Sequence, residues 1–283
     1  MIDLGVVNLH LTHRCNYKCI YCHSNFFASK EKNILPFKLW KEIIDLLEPY
    51  CTRINIAGGE PLIHKSLIGQ ILEHNHKLGL ISTIITNGYY LDISWINKYG
   101  IYLKAIGISC DSAQEEIQSL LVRGQGQHVE RTIANLLHIH QLNKEGGNIL
   151  TKLNTVVNAW NYKENMVDFI LKTRVKRWKV FQLLTIQGEN EENAKDLIIT
   201  KNQFQEFCKN NESVQKYGVH FVAENQEELT DTYVMIDPEG RFFSNTSGKY
   251  LFSDPIYMIG VEPALEQINF NEQNLLNLDR MFL

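Results

Sequence analysis

The chain has no excess of positive charge. Its 283 residues carry 28 Lys and Arg against 32 Asp and Glu, which gives a formal net charge of -4. Such a balance provides no global field that would attract a nucleic acid or an anionic membrane. We therefore expect no nucleic-acid partner, and any anionic ligand must be bound by a local group of cations.

A long apolar run is also missing. No stretch reaches the length of a membrane span, and Met1 is not followed by the basic segment and apolar core of a signal peptide. An extended segment that starts within ten residues of Met1 leaves no room for an amphipathic anchor before it. We predict a cytoplasmic protein without membrane attachment.

Cysteine is scarce but unevenly placed. The six cysteines are Cys15, Cys19, Cys22, Cys51, Cys110 and Cys208. Three of them fall within eight residues of a chain without a secretion signal, which favours metal binding over disulfides. The other three are predicted to be small buried side chains, since free cysteine is among the most buried residue types.

Short β-branched runs alternate with stretches of helical period, a pattern typical of strand–helix units around a parallel sheet. Strands are predicted at residues 6–12, 53–57, 81–86, 103–109, 150–157 and 176–184, and helices at 37–48, 67–78, 93–99, 129–142 and 163–172. No linker interrupts them. Six units predict an α/β fold, a partial (β/α)6 barrel whose ligand-binding residues gather at the C-terminal ends of the strands.

The pattern changes after Thr200. A helix is predicted at 201–209, short strands at 219–223, 232–236 and 241–244, and a helix at 261–268, with a turn at Asp237-Pro238-Glu239-Gly240. We predict a barrel over residues 1–199 and a C-terminal α+β extension over 200–283. This extension belongs to the same globular unit and forms an antiparallel cap over the site.

The spacing Cys-x3-Cys-x2-Cys places three thiols on the first loop after the first strand. A [4Fe–4S] cluster normally takes four thiolates, so a cluster held by three keeps one iron open for a small molecule. A structural zinc site completed by His13 or His23 is the alternative, since three cysteines and one histidine are a common zinc set.

Further motifs stand where later strands end. Gly58-Gly59-Glu60-Pro61 follows the second strand, where two glycines allow backbone to approach a ligand and the Glu60 carboxylate suits an ammonium group. Asn87 follows the third strand and is equally a turn former. Ser109 closes the fourth strand, and its hydroxyl together with the Arg123 guanidinium is suited to hold a carboxylate.

Together the cysteine triplet and Gly58-Gly59-Glu60-Pro61 resemble the radical S-adenosylmethionine superfamily. That resemblance implies a [4Fe–4S] cluster on Cys15, Cys19 and Cys22, with the methionyl amino and carboxylate groups of S-adenosylmethionine on the fourth iron. The side chains and glycines that it implies for S-adenosylmethionine binding are Tyr21, Gly58, Gly59, Glu60, Asn87, Ser109 and Arg123.

Several longer motifs narrow the resemblance to the viperin family. They are Asn16-Tyr17-Lys18, Ile108-Ser109-Cys110-Asp111-Ser112, Arg123-Gly124-Gln125-Gly126, Arg177-Trp178-Lys179-Val180-Phe181-Gln182 and Gln187-Gly188-Glu189-Asn190. Viperins convert a nucleoside triphosphate to its 3′-deoxy-3′,4′-didehydro analogue, an antiviral chain terminator. The resemblance implies that a 5′-deoxyadenosyl radical takes the ribose 4′ hydrogen and that the 3′ hydroxyl then leaves as water.

The resemblance also implies the substrate contacts. They are Asn8, Arg53, Asn55, Lys152, Asn154, Arg177, Lys179 and Tyr233, with Lys152 or Tyr233 as proton donor to the leaving hydroxyl. Arg177 and Lys179 at alternate strand positions are otherwise typical of a solvated face. Arg53 stands where viperins usually carry a lysine, and Ala57 where they carry a serine. The chain ends at Arg280-Met281-Phe282-Leu283, before the C-terminal segment usual in the family.

Two alternatives are left open by the residues. One is a radical S-adenosylmethionine enzyme acting on a peptide or a cofactor precursor, although such enzymes often carry extra C-terminal cysteines and this chain has Cys208 alone there. The other is a zinc-stabilised nucleotide-binding module without catalysis. For the leading interpretation, reduced flavodoxin or ferredoxin is the expected electron donor.

Overall fold

The structure is a computed structural model that describes residues 2–23, 34–124 and 126–275. Gln125, which belongs to one of the quoted motifs, and the chain end at residues 280–283 lie outside the described residues. Within them no helix is long and apolar enough to cross a bilayer.

The strand–helix alternation produces one sheet. In the described residues its strands are β1 (Gly5–His10), β2 (Cys51–Ala57), β3 (Ile81–Thr86), β4 (Leu103–Ser109), β5 (Leu150–Val157), β6 (Arg177–Gln182), β7 (His220–Glu224), β8 (Val234–Ile236), β9 (Arg241–Ser244) and β10 (Leu251–Pro255). Their order across the sheet is β10-β9-β8-β1-β2-β3-β4-β5-β6-β7. Strands β1 to β6 pair in parallel and in chain order, which confirms the predicted α/β fold with a partial barrel.

Helices connect these strands. They are α1 (Phe37–Leu47), α2 (Lys65–Lys77), α3 (Ile93–Tyr99), α4 (Glu115–Leu120), α5 (His128–Lys144), α6 (Val167–Thr173), α7 (Glu191–Ala194), α8 (Lys201–Asn211), α9 (Gln226–Leu229), α10 (Ile256–Ile259) and α11 (Val261–Gln267). The predicted α6 starts four residues too early. Asn165 and Asn211 explain this, because Val167 N–H donates to Asn165 Oδ1 at 3.0 Å and Met166 N–H donates to Asn211 Oδ1 at 2.7 Å, so that asparagine side chains bind the backbone where α6 begins.

The extension after Thr200 differs from the predicted cap in its strand directions. Strand β7 joins the edge beside β6 in parallel, and β8 joins the opposite side beside β1, also in parallel. Among the strands of the described residues, only β8 with β9 and β9 with β10 pair antiparallel. The extension therefore continues the barrel sheet at both ends. The division of the chain at residues 199 and 200 stays a prediction.

The core lies between the sheet and the helices. Strand β5 shows how the sequence sorts its side chains: Leu153 and Val157 are fully buried on the helix side, whereas Lys152 and Asn154 point the other way and are half-buried. Trp178 on β6 is also fully buried and packs edge-on against Phe207 of α8. Alternation along each strand thus separates an apolar layer from a polar barrel interior.

Candidate functional site

A cavity of about 370 Å³ occupies the barrel interior. Of the predicted site residues, those that line it are Asn8, Tyr21, Arg53, Asn55, Gly58, Ser109, Arg123, Lys152, Asn154, Arg177, Lys179 and Tyr233. This volume is in the range of small-molecule sites. Because the strands are parallel and in chain order, side chains spread over more than two hundred residues of sequence meet in one space.

The predicted residues that do not line the cavity are Cys15, Cys19, Cys22, Gly59, Glu60 and Asn87. They lie on the loop after β1 and just after the C-terminal ends of β2 and β3, a region that we call the wall of the site. The Asn87 side chain donates to Asn16 Oδ1 at 2.9 Å and contacts Cys15 Sγ at 3.8 Å. This wall joins the cysteine loop to the end of β3.

Glycines hold the cysteine loop against the end of β2. Gly59 N–H donates to Thr12 O at 2.6 Å, and a Cβ on Gly59 would lie 2.3 Å from the carbonyl oxygen of Arg14. A neighbouring Cβ on Gly58, whose φ is +140°, would lie 2.9 Å from Thr12 O. The sequence interpretation had these glycines approach a ligand. In the structure, Gly59 gives room to the backbone immediately before Cys15, and Gly58 lines the cavity. An approach of these glycines to a ligand stays a prediction.

Glu60 is the hub of this wall. Its side chain is fully buried, and its carboxylate accepts from the Thr86 hydroxyl at 2.7 Å, from Asn87 N–H at 2.7 Å and from Leu62 N–H at 3.0 Å. Burial raises the pKa of Glu60, and these hydrogen bonds oppose the shift. These three donors leave acceptor capacity on the carboxylate, which has about four lone-pair positions. Its assignment to the amino group of S-adenosylmethionine stays a prediction.

Replacing Glu60 with alanine is expected to lower the free energy of unfolding by about 3 kcal/mol or more, because three buried donors would lose their acceptor. Urea unfolding of the purified protein measures this. Glu42→Ala removes an exposed carboxylate of α1 and should cost less than about 0.5 kcal/mol. Equal unfolding midpoints for the two variants would contradict the hub role.

Arg123 lies between the cysteine loop and the end of β4. Its Nη1 donates to Tyr21 Oη at 2.8 Å, lies 3.4 Å from Asp111 Oδ2 and contacts Cys19 Sγ at 3.6 Å. The Tyr21 hydroxyl in turn donates to Asp111. The guanidinium is therefore paired with Asp111, which lines the cavity beside Ser109 and which the sequence interpretation did not assign.

The loop suits a cluster by its donor set. Cys15, Cys19 and Cys22 lie on one loop and are not joined in disulfides. Burial raises the pKa of Cys15 and raises that of Cys19 to about 12. Among the described residues, no group of three or more His, Cys, Asp or Glu side chains converges on a single ion. A [4Fe–4S] cluster does not require such convergence, since each thiolate binds a different iron.

Arg123 also offers a donor to an anion. Its Nε is buried, and within the described residues it has no hydrogen-bond partner. A buried donor of this kind is costly unless a ligand or water satisfies it. The carboxylate of S-adenosylmethionine fits such a donor chemically, so the residues present fit the cofactors that the sequence implied.

Cations gather at the other end of the cavity. Strand register sets Lys152 beside Arg177 and Asn154 beside Lys179. Burial lowers the pKa of Lys152 well below its ordinary value, and Lys179 and Arg177 lower it further. Burial lowers the pKa of Arg53 on β2, and the nearby charge of Arg177 lowers it further. These like charges in one space favour a polyanionic ligand.

Asparagines link the strands between the two ends. Asn55 Nδ2 donates to Asn8 Oδ1 at 2.8 Å, the Thr83 hydroxyl donates to Asn55 Oδ1 at 2.7 Å, and Asn8 Nδ2 donates to Val234 O at 3.0 Å. The side chains thereby tie β8, β1, β2 and β3 together across the cavity floor. Asn154 Oδ1, by contrast, is buried and has no hydrogen-bond partner in the described part of the chain.

Three further residues were not predicted from the sequence. His128 at the start of α5 contacts Tyr17 Oη at 3.1 Å and donates from Nε2 to Ser109 O at 2.9 Å. Asn190 donates to Tyr21 O at 2.7 Å and so ties the cysteine loop to the segment after β6. Glu224 pairs with Lys179 and accepts from the Tyr233 hydroxyl. The sequence offered a signal for Asn190, which belongs to the motif Gln187-Gly188-Glu189-Asn190. No local sequence pattern marks Glu224.

Comparison with solved structures places the fold. Streptococcus suis SuiB bound to S-adenosylmethionine superposes with a TM-score of 0.64 at 16% identity, over 85% of this chain and 60% of that one. Native anSMEcpe with bound AdoMet gives a TM-score of 0.65 at 15% identity, over 94% of this chain and 81% of that one. At such low identity these similarities show the fold alone.

Sequence comparison is more specific. The Radical SAM superfamily pattern matches residues 9–170. The S-adenosylmethionine-dependent nucleotide dehydratase RSAD2 of Danio rerio is 36% identical over 95% of this chain and 75% of its own length. The S-adenosylmethionine-dependent nucleotide dehydratase of Flammeovirga pacifica is 33% identical over 96% and 93%. This chain therefore belongs to the radical SAM superfamily and, within it, to the family of S-adenosylmethionine-dependent nucleotide dehydratases.

Proposed function

We propose that this protein is a radical S-adenosylmethionine dehydratase that converts a nucleoside triphosphate to its 3′-deoxy-3′,4′-didehydro analogue. The observation that carries the proposal is one cavity with the cysteine loop at one end and the cations Lys152, Arg177 and Lys179 at the other. Similarity to nucleotide dehydratases over 95% and 96% of this chain supports the same reaction class.

The cofactors of this superfamily are a [4Fe–4S] cluster and S-adenosylmethionine, which together supply a 5′-deoxyadenosyl radical. In our proposal Cys15, Cys19 and Cys22 bind the cluster. Arg123 and Ser109 hold the carboxylate of S-adenosylmethionine. Glu60 keeps the loop in place through the ends of β2 and β3, in agreement with its buried hydrogen bonds.

The protein's part is to bind and orient the substrate. Lys152, Arg177, Lys179 and Arg53 would hold the triphosphate, with charge-assisted hydrogen bonds that fix its position. Asn154, whose Oδ1 has no hydrogen-bond partner in the described part of the chain, is suited to a ribose hydroxyl. Lys152 and Tyr233 are the proposed proton donors to the departing 3′ hydroxyl, as both line the cavity.

An anaerobic assay tests the proposal. Protein reconstituted with iron and sulfide is incubated with S-adenosylmethionine, a chemical reductant and each nucleoside triphosphate in turn. We expect at least one triphosphate to raise the yield of 5′-deoxyadenosine and to lose the mass of one water. If no triphosphate raises the yield above the nucleotide-free level, the proposed reaction is wrong.

The alternatives are less well supported. A peptide substrate has no support from the sequence relatives, and a zinc-stabilised module does not explain similarity to dehydratases over nearly the whole chain. Reduced flavodoxin or ferredoxin as electron donor, the lack of a nucleic-acid partner and the cytoplasmic location remain predictions from the sequence.

A further inference from the structure

Glu224 forms a buried cluster with Lys179 and Tyr233. The carboxylate pairs with Lys179 Nζ and accepts from the Tyr233 hydroxyl, and Lys179 Nζ donates to Tyr233 Oη at 2.7 Å. Glu224 is 3% exposed and Lys179 is 5% exposed. At this burial the ion pair is screened little by solvent, so its charges act on neighbouring groups.

This cluster bridges the two ends of the parallel part of the sheet. Glu224 is the last residue of β7, which lies beside β6, whereas Tyr233 comes directly before β8, which lies beside β1. Lys179 and Tyr233 line the cavity, and Glu224 lies behind them. The carboxylate therefore holds two proposed substrate contacts without lining the site itself.

Glu224 also opposes the local positive charge. The charges that act on Lys152 include the cations Lys179, Arg177 and Arg53 and the anion Glu224. A phosphate group entering this space meets the attraction of the cations and the repulsion of the carboxylate. The repulsion grows with the charge of the ligand, and hence with its number of phosphates.

We propose that Glu224 is a positioning residue that sets the polyphosphate affinity of the cavity: it fixes Lys179 and Tyr233, and its charge weakens binding more as phosphates are added. The inference rests on the proposed function, since it assigns the cationic end of the cavity to phosphates. It goes beyond that function by assigning a role to Glu224. This residue holds Lys179 and Tyr233 in place, and its charge lowers the affinity of the cavity for the polyphosphate.

Binding of inorganic phosphate, diphosphate and triphosphate to the reconstituted protein with S-adenosylmethionine tests the charge effect by calorimetry. Glu224→Gln is expected to bind triphosphate about tenfold more tightly, diphosphate less so and phosphate least. Glu227→Gln is the matched control, because it removes one charge from an exposed side chain of α9 and should leave all three affinities unchanged. Equal gains for all three ligands, or no gain, would overturn the inference.

Turnover provides a second readout. Glu224→Gln should lower KM for the nucleoside triphosphate and also lower kcat, because Lys179 is released to the phosphates while Tyr233 is held less firmly. Glu224→Asp keeps the charge and should restore the wild-type KM. A merely structural role would raise KM in both variants, a result that also contradicts the inference.

Two variants without Lys179 cover the case in which Glu224→Gln alone fails to fold. Lys179→Gln and the double variant Lys179→Gln/Glu224→Gln differ only in the side chain at residue 224, and neither contains a buried lysine that has lost its anion. The double variant should bind triphosphate more tightly than Lys179→Gln, in the same order over the three ligands. If no nucleoside triphosphate raises the yield of 5′-deoxyadenosine and wild-type protein binds none of the phosphates, the proposed function fails. If it binds them and the carboxylate has no effect, only this inference fails.

Discussion

Replacing Cys19 with alanine is expected to abolish cleavage of S-adenosylmethionine. Cys19 is one of three cysteines on the loop after β1 that are not in disulfides, and its Sγ contacts the Arg123 guanidinium at 3.6 Å. With two thiolates left, the loop cannot hold a [4Fe–4S] cluster that keeps only one iron open. The measurements are iron and sulfide content after anaerobic reconstitution, the absorbance of the cluster, and 5′-deoxyadenosine formed with and without nucleotide.

Cys208→Ala is the matched control for this loss. Cys208 is a half-buried thiol of α8 that packs against the apolar core, far in sequence from the loop. This variant should keep its iron, its colour and its activity, and lose at most about 1 kcal/mol of stability. An active Cys19→Ala protein, or a Cys208→Ala protein that has lost its iron, would contradict the assignment of the cluster to the loop.

Replacing Lys152 with methionine is expected to raise KM for the nucleoside triphosphate by about tenfold to a hundredfold. That range corresponds to loss of a hydrogen bond to a charged group, while methionine keeps most of the side-chain volume. Lys176→Met is the control, because Lys176 is an exposed lysine immediately before β6. A Lys152→Met enzyme with unchanged KM would show that the triphosphate binds elsewhere.

The pKa of Lys152 adds a pH dependence to this prediction. Burial, Lys179 and Arg177 lower the pKa in the free protein, and a bound triphosphate would raise it again. Between these two pKa values binding takes up a proton, so affinity for the triphosphate falls as pH rises. Calorimetry in buffers of different ionisation enthalpy should detect this uptake in the wild type and not in Lys152→Met. Equal uptake in both proteins would assign it to another group.

Local sequence predicted most of the barrel. The bounds of β3, β4, β5 and α3 were predicted to the residue, because each is a β-branched or amphipathic run between clear breakers. The start of α6 and the strand directions of β7 and β8 were not predicted correctly. In the first case asparagine side chains replaced helical hydrogen bonds, and in the second a short strand carries no signal for the neighbour with which it will pair.

The candidate site was also predicted only in part from the sequence. Motifs next to strand ends marked Cys15, Glu60, Ser109 and Arg123, and alternation along β5 and β6 placed the cations on one face. The partners of these groups were not marked, and Asp111 beside Arg123 is the clearest case. A single carboxylate or histidine in a polar segment looks the same whether it faces solvent or a buried guanidinium.

The sequence by itself determined the thiols on the loop after β1, the glycines that follow β2 and the cations of β5 and β6. These features depend on residue type and on spacing within one strand–loop unit. Only the tertiary structure decided that Gly59 packs against the cysteine loop, that Glu60 accepts from the Thr86 hydroxyl, and that Glu224 and Tyr233 meet at Lys179. The physical reason is that these contacts join separate strands, whose neighbours are fixed by the curvature and pairing of the whole sheet.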